Sequence, residues 1–288
     1  MRTHPGEVYV QRRAGYTRTG LGSAGVGVRL PEVARQFLAR QRMLVIGGHD
    51  AEGSLWASPL YGPPGFVRAE GERTVIVEAA ADPDDPLHAR FADEATIGAI
   101  ALEPATRRRM RVNGTGHRQG DRLVITADQV FANCPRHITA REVEREVVAT
   151  APAVRADRLS ADQLRLIAEA DTFFIATAAD GHGVDVSHRG GETGFVTGHD
   201  ATTLSWPDYG GNAMFMTLGN LHLQPRCGLL FVDWTGTRPA LRLTGRATVD
   251  WDPDRAAAHP GAARMIDFAV EQVVEASGPA LAWRPVDD

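Results

Sequence analysis

An internal repeat constrains the fold of this chain more than any other feature of its sequence. The apolar run at 43–48 corresponds to a second apolar run at 173–178, at an offset of 130 residues. Further along, Arg111-Val112-Asn113-Gly114 corresponds to Arg242-Leu243-Thr244-Gly245 at an offset of 131. Because such pairs recur in the same order at nearly constant spacing, we predict two copies of one structural unit in the 288 residues.

The two copies divide the chain near its middle. We assign 1–145, with an N-terminal arm, to the first unit, and 146–288, with a C-terminal helix, to the second. The segment 141–159 is charged and rich in alanine, so we interpret it as a linker or a connecting helix.

Each unit consists of short β-rich runs separated by Gly, Pro and Asp turns, a pattern typical of antiparallel barrels. We predict strands at 43–48, 55–60, 74–79, 97–102, 108–113 and 122–126 in the first unit, and at 173–178, 184–187, 202–206, 228–233 and 240–249 in the second. Few helices are expected, and they are peripheral: 31–40 begins with proline, 160–170 has a capping box, and 262–276 carries one apolar face. The predicted class is therefore mainly β (α+β).

Composition excludes several kinds of chemistry. All 31 basic residues are arginine, so a Schiff-base lysine and a P-loop lysine are both excluded. An anionic cofactor would have to be held by guanidinium groups and backbone N–H groups. The net charge of -5 disfavours nucleic acid as a partner.

Neither a membrane span nor a signal peptide is indicated, and we expect a cytoplasmic protein. The ten histidines lack the spacing of a metal site, so no metal is predicted. The two cysteines are expected to be reduced. A GxGxxG pattern at 20–25 has no strand before it and no helix after it, so we interpret it as a mobile glycine loop rather than a dinucleotide fingerprint.

The densest group of polar residues and glycines is the segment 187–196 of the second unit. Ser187 and Arg189 offer a hydroxyl and a rigid fork that suit a phosphate or a flavin carbonyl, and the glycines at 190 and 191 allow the main chain to approach a ligand closely. A tight hairpin with a solvated arginine is the alternative interpretation.

Two further groups follow in the second unit. A turn at 206–212 and a short helix around 217–221 would direct backbone N–H groups and the amides of Asn212 and Asn220 to one place, which is a common anion site. The alternatives are a plain turn and a helix cap. Arg246 ends the motif 243–246 and either adds a cation to this pocket or forms a surface ion pair.

The first unit contributes a basic run at 107–111. Alternation along a strand would place Arg109 and Arg111 on one face and Arg108 on the other. No aromatic residues interleave with this run, which disfavours nucleic-acid binding, and one face could instead reach a ligand shared between the units. The segment 133–137 combines a thiol and an imidazole, but no orienting third group accompanies them, so covalent catalysis is not predicted.

Together these motifs resemble the pyridoxamine 5'-phosphate oxidase-like flavoproteins, and specifically the long subgroup of flavin-nucleotide-binding proteins. The resemblance covers nearly the whole chain. In the second unit it depends on 174–178, 187–196, 207–212, 218–221, 228–233 and 243–246, and in the first on 4–7, 10–11, 13–15, 65–67, 107–114 and 133–135.

The resemblance implies a split β-barrel that pairs as a dimer, with FMN at the interface. In this chain the two tandem split barrels could pair with each other as an intramolecular pseudo-dimer. The implied cofactor-binding residues are Ser187, His188, Arg189, Gly190, Gly191, Phe195, Trp206, Pro207, Asp208, Gly211, Asn212, Asn220 and Arg246, joined by Arg109 and Arg111 from the first unit. The lysine of the true oxidase's FMN-binding segment has no counterpart, and its substrate motifs are not recognisable.

Three functional hypotheses follow. The first is an FMN-dependent oxidoreductase of unknown substrate, in which the cofactor supplies the hydride chemistry. The second is a flavin carrier or sensor without a substrate. The third is a relative that binds haem or the deazaflavin F420 in the same groove. The partner is a small flavin nucleotide in the first two, and the assembly is either a homodimer or a pseudo-dimeric monomer.

Overall fold

The structure is a computed structural model that describes residues 4–18, 20–22, 25–80, 82–132, 135–150, 153–211 and 213–286. It is mainly β, with two large antiparallel sheets, which confirms the predicted class. The predicted glycine loop at 20–25 and the segment 133–137 lie partly outside the described residues.

The first sheet has seven strands. They are β1 Met43–His49, β2 Leu55–Tyr61, β3 Val67–Glu70, β4 Thr74–Glu78, β5 Ala95–Glu103, β6 Arg108–Gln119 and β7 Arg122–Ala132. Their order across the sheet is β2-β1-β5-β6-β7-β4-β3.

The second sheet is built in the same way. Its strands are β10 Thr172–Ala179, β11 Gly183–Gly190, β12 Thr197–Gly198, β13 Thr203–Tyr209, β14 Arg226–Phe231, β15 Leu241–Asp250 and β16 Ala262–Glu275, which follow β8 Arg141–Ala149 and β9 Val154–Ala156 in the chain. Their order is β11-β10-β14-β15-β16-β13-β12, with β9 added beside β16. A last strand, β17 Gly278–Pro285, pairs with β8 in a separate two-stranded sheet.

The two large sheets share one connectivity, and their irregularities also correspond. The register between β6 and β7 shifts at Asn113/Gly114, and the register between β15 and β16 shifts at Thr244/Gly245. These are the positions that the sequence repeat aligns. The predicted boundary at 145/146 falls inside β8, so the division of the chain into two units stays a prediction.

The sheets approach each other closely at two glycines in equivalent strands. A Cβ atom added to Gly98 of β5 would lie 2.8 Å from the carbonyl oxygen of Val184 in β11, and one added to Gly228 of β14 would lie 2.5 Å from that of Leu55 in β2. A larger residue at either position would collide with backbone. A hydrophobic cluster that includes Val45, Ile100, Ala176 and Leu230 fills the space between the sheets.

The described residues contain five α-helices: α1 Pro5–Arg13, α2 Glu32–Ala39, α3 Ala161–Glu169, α4 Met216–Leu223 and α5 Pro253–Ala257. The predicted helices at 31–40 and 160–170 correspond to α2 and α3, and the capping box of Ser160 and Gln163 is confirmed. Pro31 is the N-cap of α2 rather than its first residue. No α-helix in the described part of the chain has the length and apolar character needed to cross a membrane.

Two predictions of secondary structure are wrong. Residues 262–275 form strand β16 rather than a C-terminal helix, because β13 and β15 hydrogen-bond to it on either side and bury its β-branched residues. The segment 141–159 is neither a linker nor a helix, because β8 pairs with β17 and β9 pairs with β16.

Candidate functional site

A cleft of about 230 Å³ lies where β6 of the first sheet faces β11 and β13 of the second. Its lining, which we call the arginine cleft, consists of Arg109, Arg111, Arg136, His137, His188, Arg189, Gly190, Phe195, Pro207, Tyr209, Gly210 and Gly211. Four of these residues are arginines, and none of the described lining residues is acidic. The cleft therefore concentrates positive charge and suits a phosphate.

The β-strand alternation of β6 places Arg109 and Arg111 on the same face, toward β11. The Nη1 atom of Arg109 lies 2.7 Å from Nδ1 of His188. The Nη1 atom of Arg111 donates to Asp185 at 2.9 Å, and both side chains of this ion pair are almost completely buried. Two arginines of the first sheet therefore line the cleft beside β11 of the second.

Asp185 organises a buried polar network under the arginine cleft. Its carboxylate accepts hydrogen bonds from Arg111, from the Asn113 amide at 3.1 Å and from the Ser187 hydroxyl at 3.0 Å. Ser187 also shares a hydrogen bond of 2.7 Å with Thr217. Asp185 was not among the predicted site residues, although a carboxylate between Val184 and Val186 in a buried strand is a detectable signal.

His188 is held as a neutral imidazole. Burial and then the charges of Arg109, Arg189 and Arg111 lower the pKa of His188 well below its ordinary value. Because a guanidinium can only donate, Nδ1 of His188 must accept from Arg109, and the proton therefore lies on Nε2. Nε2 is buried and has no hydrogen-bond partner in the described structure, so the site holds one unsatisfied donor.

Arg189 provides the most available positive charge in the cleft. Among the described residues, no side chain forms a hydrogen bond or an ion pair with its guanidinium, whereas Arg111 is paired. Burial lowers the pKa of Arg189 and Asp208 acts in the opposite direction. Asp208 is buried 3.6 Å from Arg264, and burial raises its pKa against the effect of Arg189 and Arg264. The environment thus favours an added anion beside Arg189.

A close approach between the segment 136–137 and the end of β11 explains one of the glycines. A Cβ atom on Gly190 would lie 1.9 Å from the carbonyl oxygen of His137, so only glycine permits the segment at 136–137 to pack against the end of β11. The ring of His137 then stacks on Tyr209 at 4.8 Å, with 18° between the planes. This contact brings Arg136 and His137 to the cleft.

The structure brings most of the predicted residues together. Those that line the arginine cleft are Arg109, Arg111, His188, Arg189, Gly190, Phe195, Pro207 and Gly211. Gly191 lines an adjoining shallow depression with Arg136, and Asp208 lines a small adjoining cavity with Arg189. Ser187 is fully buried beneath the cleft.

Three predicted residues lie elsewhere. Trp206 is 1% exposed in the hydrophobic core of the second sheet, where it contacts Phe173 edge to face. The Asn220 side chain binds His4 at 2.8 Å and Thr177 at 3.0 Å. Arg246 forms a surface ion pair with Glu271 at 2.8 Å. We therefore remove these three from the candidate site. The hydrophobic core surrounds Trp206, and the polar groups of Asn220 and Arg246 are already bonded to other side chains. Asn212 lies outside the described residues.

The N-terminal helix α1, which sequence analysis treated only as an arm, packs on α4. Gly6 and Gly219 allow the two backbones to touch, since a Cβ on Gly6 would lie 2.1 Å from the oxygen of Gly219. This contact buries Glu7 near Asp185. Burial, followed by the charge of Asp185, raises the pKa of Glu7 to about 7.

We expect Glu7→Gln to remove a pH dependence of stability. The folded state retains a proton on Glu7 between its ordinary pKa of 4.5 and about 7, while the unfolded state releases it. This contribution is complete below pH 4.5 and is lost as pH rises to about 7. The stability of the wild type relative to Glu7→Gln should therefore fall over this interval, by at most about 1.4 kcal/mol per pH unit. Urea unfolding at several pH values measures this change in stability. Glu94→Gln, at an exposed glutamate, is the control. Identical pH profiles for the wild type and Glu7→Gln would contradict the expectation.

Metal and thiol chemistry find no support in the described part of the chain. It contains no group of three or more His, Cys, Asp or Glu side chains suited to hold a metal ion. Cys227 is a free, fully buried thiol whose pKa is raised by burial, so it is not an activated nucleophile.

Comparison with known proteins supports a family assignment. Residues 159–283 match the family model described as pyridoxamine 5'-phosphate oxidase. No curated protein matches the chain.

Three of the solved structures that match the chain each cover about two fifths of it. One, from Lactobacillus delbrueckii and provisionally named pyridoxamine 5'-phosphate oxidase, is 19% identical, covers 41% of this chain and 94% of its own, and has a TM-score of 0.34. An FMN-binding protein from Syntrophomonas wolfei is 11% identical, with 40% and 80% covered and a TM-score of 0.29. A protein named F420 reductase is 13% identical, with 40% and 94% covered and a TM-score of 0.29.

The matched segment contains the strands β10 to β16 and the part of the cleft that includes His188 and Arg189. The match to the pyridoxamine 5'-phosphate oxidase family model is confined to this segment of the chain, residues 159–283.

Proposed function

We propose that the protein binds FMN in the arginine cleft and acts as an FMN-dependent oxidoreductase. The observation that carries this proposal is the cleft itself. Four arginines converge there, three of them from strands of the two sheets, and none of the described lining residues is acidic. Part of this lining belongs to the segment that matches the family model. A phosphate monoester brings close to two negative charges at neutral pH, which this excess of guanidinium groups would balance.

The residues present fit this cofactor. Arg189 and Arg136 offer guanidinium groups to a phosphate, and Phe195 and Pro207 provide apolar surface for a flat ring. The buried Nε2–H of His188 would gain an acceptor if a polar atom of the ligand reached it. When bound, FMN supplies the hydride-transfer chemistry, while the protein binds and orients it and keeps water away.

We also propose that the chain is an intramolecular pseudo-dimer of two tandem split barrels, of the long flavin-nucleotide-binding subgroup. The shared strand order and the paired contacts at Gly98 and Gly228 support this arrangement. The arginine cleft takes residues from both sheets, so neither sheet would form it alone.

Two measurements test the proposal. The visible spectrum of the purified protein, followed by mass analysis of the compound released on denaturation, should identify FMN. A haem spectrum or the mass of a deazaflavin would identify that compound, instead of FMN, as the cofactor. If no cofactor copurifies and added FMN does not bind, the proposal fails.

Turnover is measured separately. We expect a reduced nicotinamide nucleotide to reduce the bound flavin and an acceptor to reoxidise it repeatedly. Tight FMN binding without any reduction would instead indicate a carrier or sensor.

A further inference from the structure

We propose that a second cleft in this protein binds an uncharged, phosphate-free aromatic ring compound, at a site separate from the arginine cleft. This inference rests on the proposed function, because it assigns the nucleotide to the arginine cleft alone. The second cleft has a volume of about 350 Å³, which lies within the range of small-molecule sites.

The second cleft is the structural counterpart of the arginine cleft. The arginine cleft lies between the end of β11 and the start of β6, and the second cleft lies between the end of β2 and the start of β15. These strands occupy equivalent places in the two sheet orders, and β6 and β15 carry their register shifts at equivalent residues. The segment that follows β7 contributes Arg136 to the first cleft, and the segment 276–279 after β16 lines the second.

The positions that carry positive charge in the arginine cleft are uncharged in the second. At the offset of 129 residues, Leu60 stands where the other cleft has Arg189, and Pro59 stands where it has His188. At the offset of 131, Ala240 replaces Arg109. The same architecture has therefore lost the groups that would hold a phosphate.

The cations that remain in the second cleft are already engaged. Arg242, the counterpart of Arg111, forms a buried ion pair of 2.9 Å with Asp85. The Asp85 carboxylate also accepts from the hydroxyl of Ser58 at 2.8 Å. Arg118 donates to the carbonyl oxygens of Ala79 and Asp121. The carboxylates of Asp82 and Asp85 line this cleft beside the two arginines, so a phosphate would not meet the excess of positive charge that the arginine cleft offers.

The remaining wall is suited to an apolar ring. Ile46, Leu60, Leu87 and Pro239 line the cleft together with the side chain of Tyr61. Leu60 and Tyr61 are half-buried, so a ring bound against them would remove apolar surface from water. A ring compound without a charged tail is the ligand that this balanced charge and partly apolar lining favour.

Riboflavin and FMN provide a matched pair of probes, because they differ only by the phosphate. The protein is first saturated with FMN and freed of excess, and riboflavin is then titrated by calorimetry and equilibrium dialysis. We expect one riboflavin to bind per FMN-loaded chain, and FMN itself to saturate at one per chain. Failure of riboflavin to bind the loaded protein, or binding of two FMN per chain, would overturn the inference.

Variants at equivalent positions assign each ligand to a cleft. Ala240→Trp should fill the second cleft and weaken riboflavin binding by about tenfold or more, with FMN binding unchanged. Arg109→Ala should weaken FMN binding and leave riboflavin binding to the second cleft unchanged. Ala79→Trp, at another residue that lines the second cleft, repeats the first test if Ala240→Trp does not fold.

These outcomes separate the two proposals. A further outcome is that the protein never binds FMN and yet binds riboflavin in a way that Ala240→Trp abolishes. That result would support a binding site in the second cleft and refute the proposed function. Riboflavin binding that is sensitive only to Arg109→Ala would place the ring in the arginine cleft and refute this inference.

Discussion

Arg189→Ala is expected to weaken FMN binding by about 2–5 kcal/mol, which corresponds to a loss of about thirtyfold to several thousandfold in affinity. The guanidinium of Arg189 lines the arginine cleft and has no side-chain partner among the described residues, so it is available to a phosphate. Its removal would leave the bound phosphate partly uncompensated in a desolvated place. Titration of the apo-protein with FMN, followed by flavin fluorescence, measures the effect.

Arg246→Ala is the matched control for this prediction. Both arginines belong to sequence motifs of the second unit, but Arg246 forms a surface ion pair with Glu271 away from the cleft. We expect FMN affinity to stay unchanged in that variant. Equal losses for the two variants, or no loss for Arg189→Ala, would exclude Arg189 from the site.

Asp185→Ala is expected to lower the free energy of unfolding by about 3–5 kcal/mol. The change leaves the Arg111 guanidinium buried without its counter-charge, and it removes the acceptor of the Asn113 and Ser187 hydrogen bonds. Urea denaturation of the ligand-free protein, monitored by fluorescence and circular dichroism, measures the loss.

Two comparisons test the reason for that loss. Asp162→Ala removes an exposed carboxylate that pairs with Arg165 on α3, and we expect no measurable change. The double change Asp185→Leu with Arg111→Met should recover much of the stability, because an apolar pair carries no buried charge. If Asp185→Ala were as stable as the wild type, the ion pair would not be the element that holds β6 to β11.

Local patterns predicted much of the fold. The runs at 43–48 and 173–178 became β1 and β10, since a short apolar run between turn residues is a local signal, and both strands are buried along nearly their whole length. Ser160 and Gln163 form the predicted capping box because both partners lie within one helical turn.

The same kind of local pattern failed at 262–276. Apolar residues there, such as Met265, Ile266 and Val270, satisfy a helical stripe, yet they form the strand β16. The decision depended on β13 and β15, which supply hydrogen bonds along both sides of the segment. Periodicity cannot report whether such neighbours exist.

The predicted site residues also divide into those that short spacing in the sequence placed correctly and those whose role depends on distant partners. Residues next to each other in the chain, such as His188, Arg189 and Gly190, were predicted together and line one cleft. Arg246 and Asn220 carry equally suitable side chains, but they are engaged by Glu271 and His4. The sequence could not distinguish these cases, because each partner lies in a different element.

The sequence by itself determined the repeat, most of the strands and the presence of arginines at 109, 111 and 189, because these depend on residue type and short spacing. Only the tertiary structure decided which arginines remain available and which are neutralised. Arg111 and its partner Asp185 are 74 residues apart, and charge pairing at such separation follows from how the two sheets pack. Burial and proximity are properties of the folded chain, so they emerge only when β6 and β11 meet.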